Sequence, residues 1–202
     1  MTRILPLPAS DGQKIDERAF YVYRNGTVVY GTPFTDEYAK LDISKADVSA
    51  IEAVTYTGSP VKPKVTVRYN GKVLKNGKDY TVKYIGNKGV GQAAVLIKGK
   101  GKYFGNVAKT FEIVPEKPSL SVKRSGTKYT LSWSKAKGAE TYEIYYSTNN
   151  GKSFKQLKKV DGSSRSVTVG LKSGKKYAFR IRSSYEIYPV HFSSGYSDTV
   201  KA

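Results

Sequence analysis

The stretch FYVYRNGTVVYG, residues 20–31, sets two short apolar and aromatic runs on either side of Asn25-Gly26. An Asn-Gly pair between such runs predicts a β-hairpin over residues 20–30, because both turn positions favour positive φ. From residue 41 the chain becomes a series of short alternations of apolar and polar positions. KVTVRYNGKVL turns at Asn70-Gly71, KNGKD turns at 75–79 and GNKG turns at 86–89. The spacing predicts strands at 49–55, 64–69, 72–75, 80–85, 91–98 and 107–114. VPEKPS, residues 114–119, reads as a linker, since Pro115 and Pro118 favour extended, stiffened backbone. Strands resume at 119–124, 128–134, 141–147, 154–159, 165–169, 176–183 and 195–201, the complement of a small sandwich. No stretch shows a 3.6-residue period. The expected fold is all-β: two tandem β-sandwiches, residues 42–115 and 116–202, behind an N-terminal arm, 1–41, that carries the hairpin.

Composition supports this picture and adds charge to it. With 202 residues and 39% apolar content, there is material for more than one core. The 17 tyrosines suit strands, and the absence of cysteine excludes disulfides and thiolate metal sites. MTRILPLPAS lacks a signal-peptide core, and no apolar run is long enough to span a membrane. The net charge of +19 is unevenly placed. Residues 1–40 balance 5 basic against 5 acidic side chains, residues 41–115 hold 13 against 5, and residues 116–202 hold 17 against 6. A basic field of this kind favours anionic partners such as surface glycans and polymers. The lysines are scattered, which also fits edge strands guarded against pairing.

Several stretches resemble known families. Trp133 in KYTLSWS, GAETYEIYYS with Tyr142 and Ile144, LKSGKKYAFRIRS with Leu171 and Tyr177, and SSGYSDTVKA together resemble a fibronectin type III domain over 117–202. The resemblance implies that Trp133 lies in the core and that the Tyr177 hydroxyl bonds back to the backbone in a tyrosine corner. YTGSPVKPKVTVRYNGKVLKNGKDYTVKYIGNKGVGQAAVLIKGKGKYFGNVAKTFEIVP resembles the Ig-like repeats of clostridial and related Gram-positive surface proteins. For that segment it implies core or core-edge positions at Tyr56, Val65, Val67, Leu74, Tyr80, Val82, Ala94, Ile97, Tyr103, Phe111 and Ile113. Tandem modules of these families imply stalks, adhesins, accessory modules of wall enzymes, or virion proteins. Residues 1–41 resemble neither family.

Catalytic chemistry finds little support. His191 is the single histidine, so neither a Ser-His-Asp arrangement nor a histidine-based zinc site is expected. Asp16-Glu17 and Asp36-Glu37 are sequence neighbours, poorly placed to face each other across a cleft. GKGKYFG at 99–105 and GVGQ at 89–92 lack a following helix, so their glycines read as turn residues rather than phosphate loops. No nucleic-acid-binding motif is present. No cofactor, metal or catalytic residue is expected. Tyr145 and Tyr146 are neighbours in a strand, so one of them must face away from the core.

Binding is better supported. SYEIYPVHFSS, residues 184–194, reads as the loop joining the last two strands, and offers Tyr185, Tyr188, His191 and Phe192 as ligand-contact candidates. In the arm, Phe20, Tyr21, Val22, Tyr23, Val28, Val29 and Tyr30 would make a ribbon that is apolar on both faces and so needs a partner on each. The expected function is non-catalytic display or adhesion. One setting is a phage virion decoration protein of head or tail, fixed to its assembly through residues 1–41, oligomeric when assembled, and touching anionic host polymers. The initiating Met1 and missing signal favour it. The alternative is a fragment of a secreted Gram-positive adhesin or an accessory module of a cell-wall enzyme. Both place the protein on an exposed surface, virion or extracellular.

Overall fold

The computed structural model describes residues 3–4, 20–22, 28–30 and 40–202. Three short strands, β1 (Arg3–Ile4), β2 (Phe20–Val22) and β3 (Val28–Tyr30), form an antiparallel sheet in the order β1-β2-β3. Within it Phe20 pairs with Tyr30, Tyr21 with Val29 and Val22 with Val28. A two-residue Asn25-Gly26 turn would pair Val22 with Val29, so the observed register is displaced by one residue. The connecting residues and Tyr23 lie outside the described residues.

The first sandwich is built from short strands. They are β4 (Leu41–Asp42), β5 (Asp47–Val48), β6 (Val54–Thr55), β7 (Val67–Tyr69), β8 (Lys72–Val73), β9 (Tyr80–Ile85), β10 (Gly91–Gly99), β11 (Tyr103–Phe104) and β12 (Asn106–Val114). One sheet runs β6-β12-β10-β9, a second runs β5-β7-β8, and β4 pairs with β11. Of the strand expected over 49–55 only β6 forms, parallel to β12; the short β5 precedes that range and lies antiparallel to β7 in the other sheet. Half-buried Ile51, between them, packs against the apolar clusters on both sides of the crossing. Those clusters are Ile43, Val67, Tyr80, Val95 and Ile97 with their neighbours, and Val61, Ala93, Phe111 and Ile113.

The second sandwich contains β13 (Leu120–Ser125), β14 (Lys128–Trp133), β15 (Thr141–Ser147), β16 (Lys155–Asp161), β17 (Ser166–Gly170), β18 (Ala178–Ile187), β19 (Val190–Ser193) and β20 (Val200–Lys201). The sheet β13-β14-β17 faces the sheet β16-β15-β18-β19, and β20 adds to β18. Period-2 alternation supplies the core: Tyr129, Leu131 and Trp133 from β14 meet Tyr142 and Ile144 from β15 and Phe179 and Ile181 from β18. Leu171 packs against this cluster. The Tyr177 hydroxyl donates to the Lys172 carbonyl at 3.3 Å, closing the expected tyrosine corner.

The segment read as a loop over 184–194 is instead a hairpin. β18 continues to Ile187 and pairs with β19 through Ser184↔Ser193, Tyr185↔Phe192, Glu186↔His191 and Ile187↔Val190. Tyr188 and Pro189, joined by a cis peptide bond, form its tip. The strand expected over 195–201 shrinks to β20, because serine hydroxyls take over the pairing before it. Ser183 N–H donates to Ser194 Oγ at 3.1 Å, and Ile181 N–H donates to Ser197 Oγ at 3.1 Å.

The two sandwiches meet at a tightly bonded joint. Pro115 is fully buried. Glu116 N–H donates to the Lys137 carbonyl at 2.9 Å, and Lys137 N–H donates to Glu116 Oε2 at 3.0 Å. Lys137 Nζ crosses to the Thr57 carbonyl at 2.9 Å. Beside it Gly138, at φ +75°, comes so close that a Cβ there would lie 2.6 Å from Val90 Cγ2 and 2.9 Å from Tyr56 Cδ1. Glycine is required there for both its dihedral and its size.

Candidate functional site

The outward face of the β16-β15-β18-β19 sheet carries the densest polar and aromatic cluster of the described residues. Alternation sends Tyr142 and Ile144 inward, so Glu143 and Tyr145 point out, as do Arg180 and Arg182 between the inward Phe179 and Ile181. The register sets Glu143 opposite Arg182 and Tyr145 opposite Arg180. Glu143 is only 5% exposed despite its outward position, because its neighbours fold over it. Arg182 donates from Nε at 2.9 Å and from Nη2 at 2.8 Å to Glu143 Oε2. The Tyr145 hydroxyl donates to the same oxygen at 2.6 Å, and His191 Nε2 lies 3.1 Å from Oε1.

These contacts set the titration of the cluster. Burial alone would raise the Glu143 carboxyl. The hydrogen bonds from Tyr145 and Arg182, with the charges of Arg182 and His191, outweigh it and hold the carboxyl below its ordinary value. Burial and the bond to Glu143 push the Tyr145 hydroxyl well up. Arg182 loses from burial but gains more from Glu143, and is held above its ordinary value.

A stack of rings and guanidinium groups extends from this centre. Arg180 Cζ lies 3.6 Å from the Tyr196 ring centroid and 4.0 Å from that of Phe154. Arg182 Cζ lies 5.2 Å from Tyr196 and 5.7 Å from Tyr145, and the Tyr145 and Tyr196 rings meet edge-on at 5.2 Å. Cation–π contacts contribute about 0.5–2 kcal/mol each, more where desolvated. Arg180 Nε is buried without a hydrogen-bond partner, and the guanidinium lies against the rings of Phe154 and Tyr196. The cluster can clamp strands and present half-buried rings and cations to a ligand. It brings no activated nucleophile together with a base.

The four ligand-contact candidates do not form one patch. Tyr188 is 90% exposed at the hairpin tip. His191 joins the outer cluster on Glu143. Tyr185 and Phe192 are cross-strand partners, one residue out of phase with Glu186 and His191, and so lie on the other face. Phe192 is 4% exposed and is a packing residue, contrary to its expected availability, because β19 lies against β12 of the first sandwich. Of the arm candidates, Phe20, Tyr21, Val22, Val28, Val29 and Tyr30 lie in β2 and β3. Sequence reasoning missed Glu143, Arg180, Arg182, Tyr196 and Phe154. The first three were accessible from alternation, since YEIYY and FRIRS place opposite charges on one face; nothing local marks Phe154 or Tyr196.

Residues 113–189 match the family model described as SORL1-like, fn3 domain. Among solved structures, the chain is similar to a two fibronectin type-III domain segment from chicken tenascin, at 16% identity and a TM-score of 0.47, covering 78% of this chain and 95% of that one. It is also similar to a structure titled FN3tt mut, at 27% identity and a TM-score of 0.34, covering 44% of this chain and 91% of that one. A third likeness is to pectate lyase PelI from Erwinia chrysanthemi in complex with tetragalacturonic acid, at 18% identity and a TM-score of 0.36 over 42% of this chain. The match spans 28% of the lyase's own length. No curated protein matches the chain. The family match over residues 113–189 falls on the two-sheet sandwich of the second half, whose fold is of the all-β, Ig-like and fibronectin type III class. Such a domain fits a non-catalytic display, adhesion or accessory module.

Proposed function

We propose that this chain is a phage virion decoration protein, anchored to head or tail through residues 1–41, that contacts anionic polymers of the host surface. The observation that carries the reading is how the carboxylates are used. Asp42, Asp79, Glu116, Glu140 and Asp161 each accept a backbone N–H, and Glu143 is taken by its own cluster. Beside Arg182 and His191 on Glu143, Lys117 pairs with Asp198 at 3.3 Å and Lys159 with Glu186 at 3.8 Å, both pairs exposed, while basic side chains outnumber acidic ones 30 to 11 over residues 41–202. Most of the positive charge therefore has no internal counter-ion and projects its field outward. Support for an assembly role comes from the arm, whose β1-β2-β3 sheet is separate from the sandwich sheets and carries Phe20, Tyr21 and Tyr30 in its strands.

A second reading, a secreted Gram-positive adhesin or wall-enzyme accessory module, draws on the resemblance of 42–115 to clostridial surface repeats. Two measurements test the pair. Retention on intact cells and purified wall polymer should be strong at low salt and should fall steeply as salt rises, since exposed charge contacts are screened; no retention at low salt refutes adhesion. Mass spectrometry of purified virions from the source strain decides the setting: presence of the chain supports decoration, and its absence there with presence in the wall fraction supports the second reading.

A further inference from the structure

The first sandwich carries a cleft of about 500 Å³ between β8, the turn at 75–79 and the corner at Gly101–Tyr103. Lys72, Lys75, Lys78 and Lys102 line it, and all four are exposed. Its one carboxylate, Asp79, accepts the Lys75 N–H on Oδ2 at 2.8 Å and closes the turn, leaving four ammonium groups against one carboxylate. No ion pair among the described residues involves any of the four lysines; Lys102 only overlies the Tyr103 ring, at 5.2 Å. The frame beneath them is fixed. Lys100 N–H donates to the Asp79 carbonyl at 2.9 Å, Gly77 N–H donates to the Tyr80 carbonyl at 2.7 Å, and Lys100 Nζ reaches back to the Gly77 carbonyl at 2.7 Å. The two loops are thus tied, and the four lysines line a preformed rim.

From this geometry we infer that the lysine cleft binds a polyol-phosphate polymer, one phosphodiester for each ammonium it can meet. The inference rests on the anionic-polymer reading above and assigns that reading a site. Three features select the ligand class. The lining offers four lysine ammonium groups and no arginine, and lysine serves phosphate as a point charge. Val73 is 48% exposed within the cleft and offers an apolar surface to polyol carbons. Tyr103 is 4% exposed and edge-packed on Tyr69 at 5.5 Å, so it cannot serve as the platform on which nucleic-acid bases stack.

The test uses the full chain with poly(glycerol phosphate), polygalacturonate and a single-stranded oligonucleotide as probes, measured by titration calorimetry. Counter-ion release from about four contacts predicts that affinity for poly(glycerol phosphate) falls roughly 20-fold between about 50 and 150 mM salt. The variant K72Q/K75Q/K78Q/K102Q should lose about tenfold or more at low salt and show a flatter salt slope. A second variant, K123Q/K128Q/K155Q/K158Q, removes the same charge from exposed positions on the other sandwich and should stay near wild type. Equal losses in the two variants overturn the cleft while leaving polymer adhesion standing. Tighter binding of the oligonucleotide or of polygalacturonate overturns the ligand class. A wild-type chain that binds none of the three at low salt overturns the adhesion reading together with the site. Unchanged thermal midpoints in both variants keep the comparison free of folding effects.

Discussion

Glu143→Ala tests whether the outer-face cluster holds the second sandwich together. The carboxylate is 5% exposed and takes bonds at 2.6, 2.8 and 2.9 Å on one oxygen, with His191 Nε2 at 3.1 Å from the other. Removing one partner of a buried pair costs about 3–5 kcal/mol when the remaining charge cannot reach water. Arg182 has a side-chain exposure of 24% and can recover part of its hydration, so a loss of about 2–3 kcal/mol is expected. For a domain of this size each kcal/mol moves the midpoint by about 4–8 °C, so the type III transition should fall by roughly 10–20 °C in calorimetry. The pH dependence carries the sign. Because the folded Glu143 carboxyl is held below its unfolded value, its contribution is complete above the ordinary carboxylate range and disappears as pH falls through the folded value. The gap between wild type and variant should therefore be full at neutral pH and close in acid. A double-mutant cycle with Arg182→Met should return a coupling of about 1–3 kcal/mol. A destabilisation under about 1 kcal/mol, or a gap indifferent to pH, would refute the assignment.

Two further outcomes follow from the joint and the arm. Gly138→Ala places a methyl 2.6 Å from Val90 Cγ2 at φ +75°, and should cost about 1–3 kcal/mol while both sandwiches stay folded. The expected readouts are faster proteolysis at residues 114–119 and a broader distribution of interparticle distances in solution scattering; unchanged values would show that the contact does not fix the joint. A chain shortened to residues 40–202 should keep both sandwiches, since Leu41 is retained against the first core, yet fail to enter the assembly. Loss of the first transition on truncation would show instead that the arm completes its core.

The strand pattern was legible wherever one face is buried and the other wet. KYTLSW, TYEIYYS and AFRIRS alternate in the sequence and pack accordingly in the structure. Legibility ended where the backbone makes unusual partners. Nothing local announces that 49–53 carries the chain from one sheet to the other, with Ile51 against both clusters, because crossing an edge leaves no period of its own. The run SYEIYPVHFSS reads as the loop joining the last two strands, yet its two arms on either side of Tyr188-Pro189 pair as a hairpin. Ser194 and Ser197 were unremarkable as letters; their role appears only when their hydroxyls meet the N–H groups of Ser183 and Ile181. The site divides similarly. Glu143 and Arg182 face each other by simple parity, while Phe154 and Tyr196 reach Arg180 from segments far apart in the chain.

The bonded joint at Glu116 and Lys137 has a consequence for recognition. A loose tether lets two weak contacts sample many separations, so avidity depends little on ligand architecture. Here Lys137 is bonded to both sides of the linker and Gly138 is wedged against Tyr56 and Val90. Contacts made by the two sandwiches are thereby held at one separation and one relative rotation. If the proposed polymer were to touch both sandwiches, the two contacts would reinforce each other only where its charges repeat at a matching interval, and the joint would set that spacing.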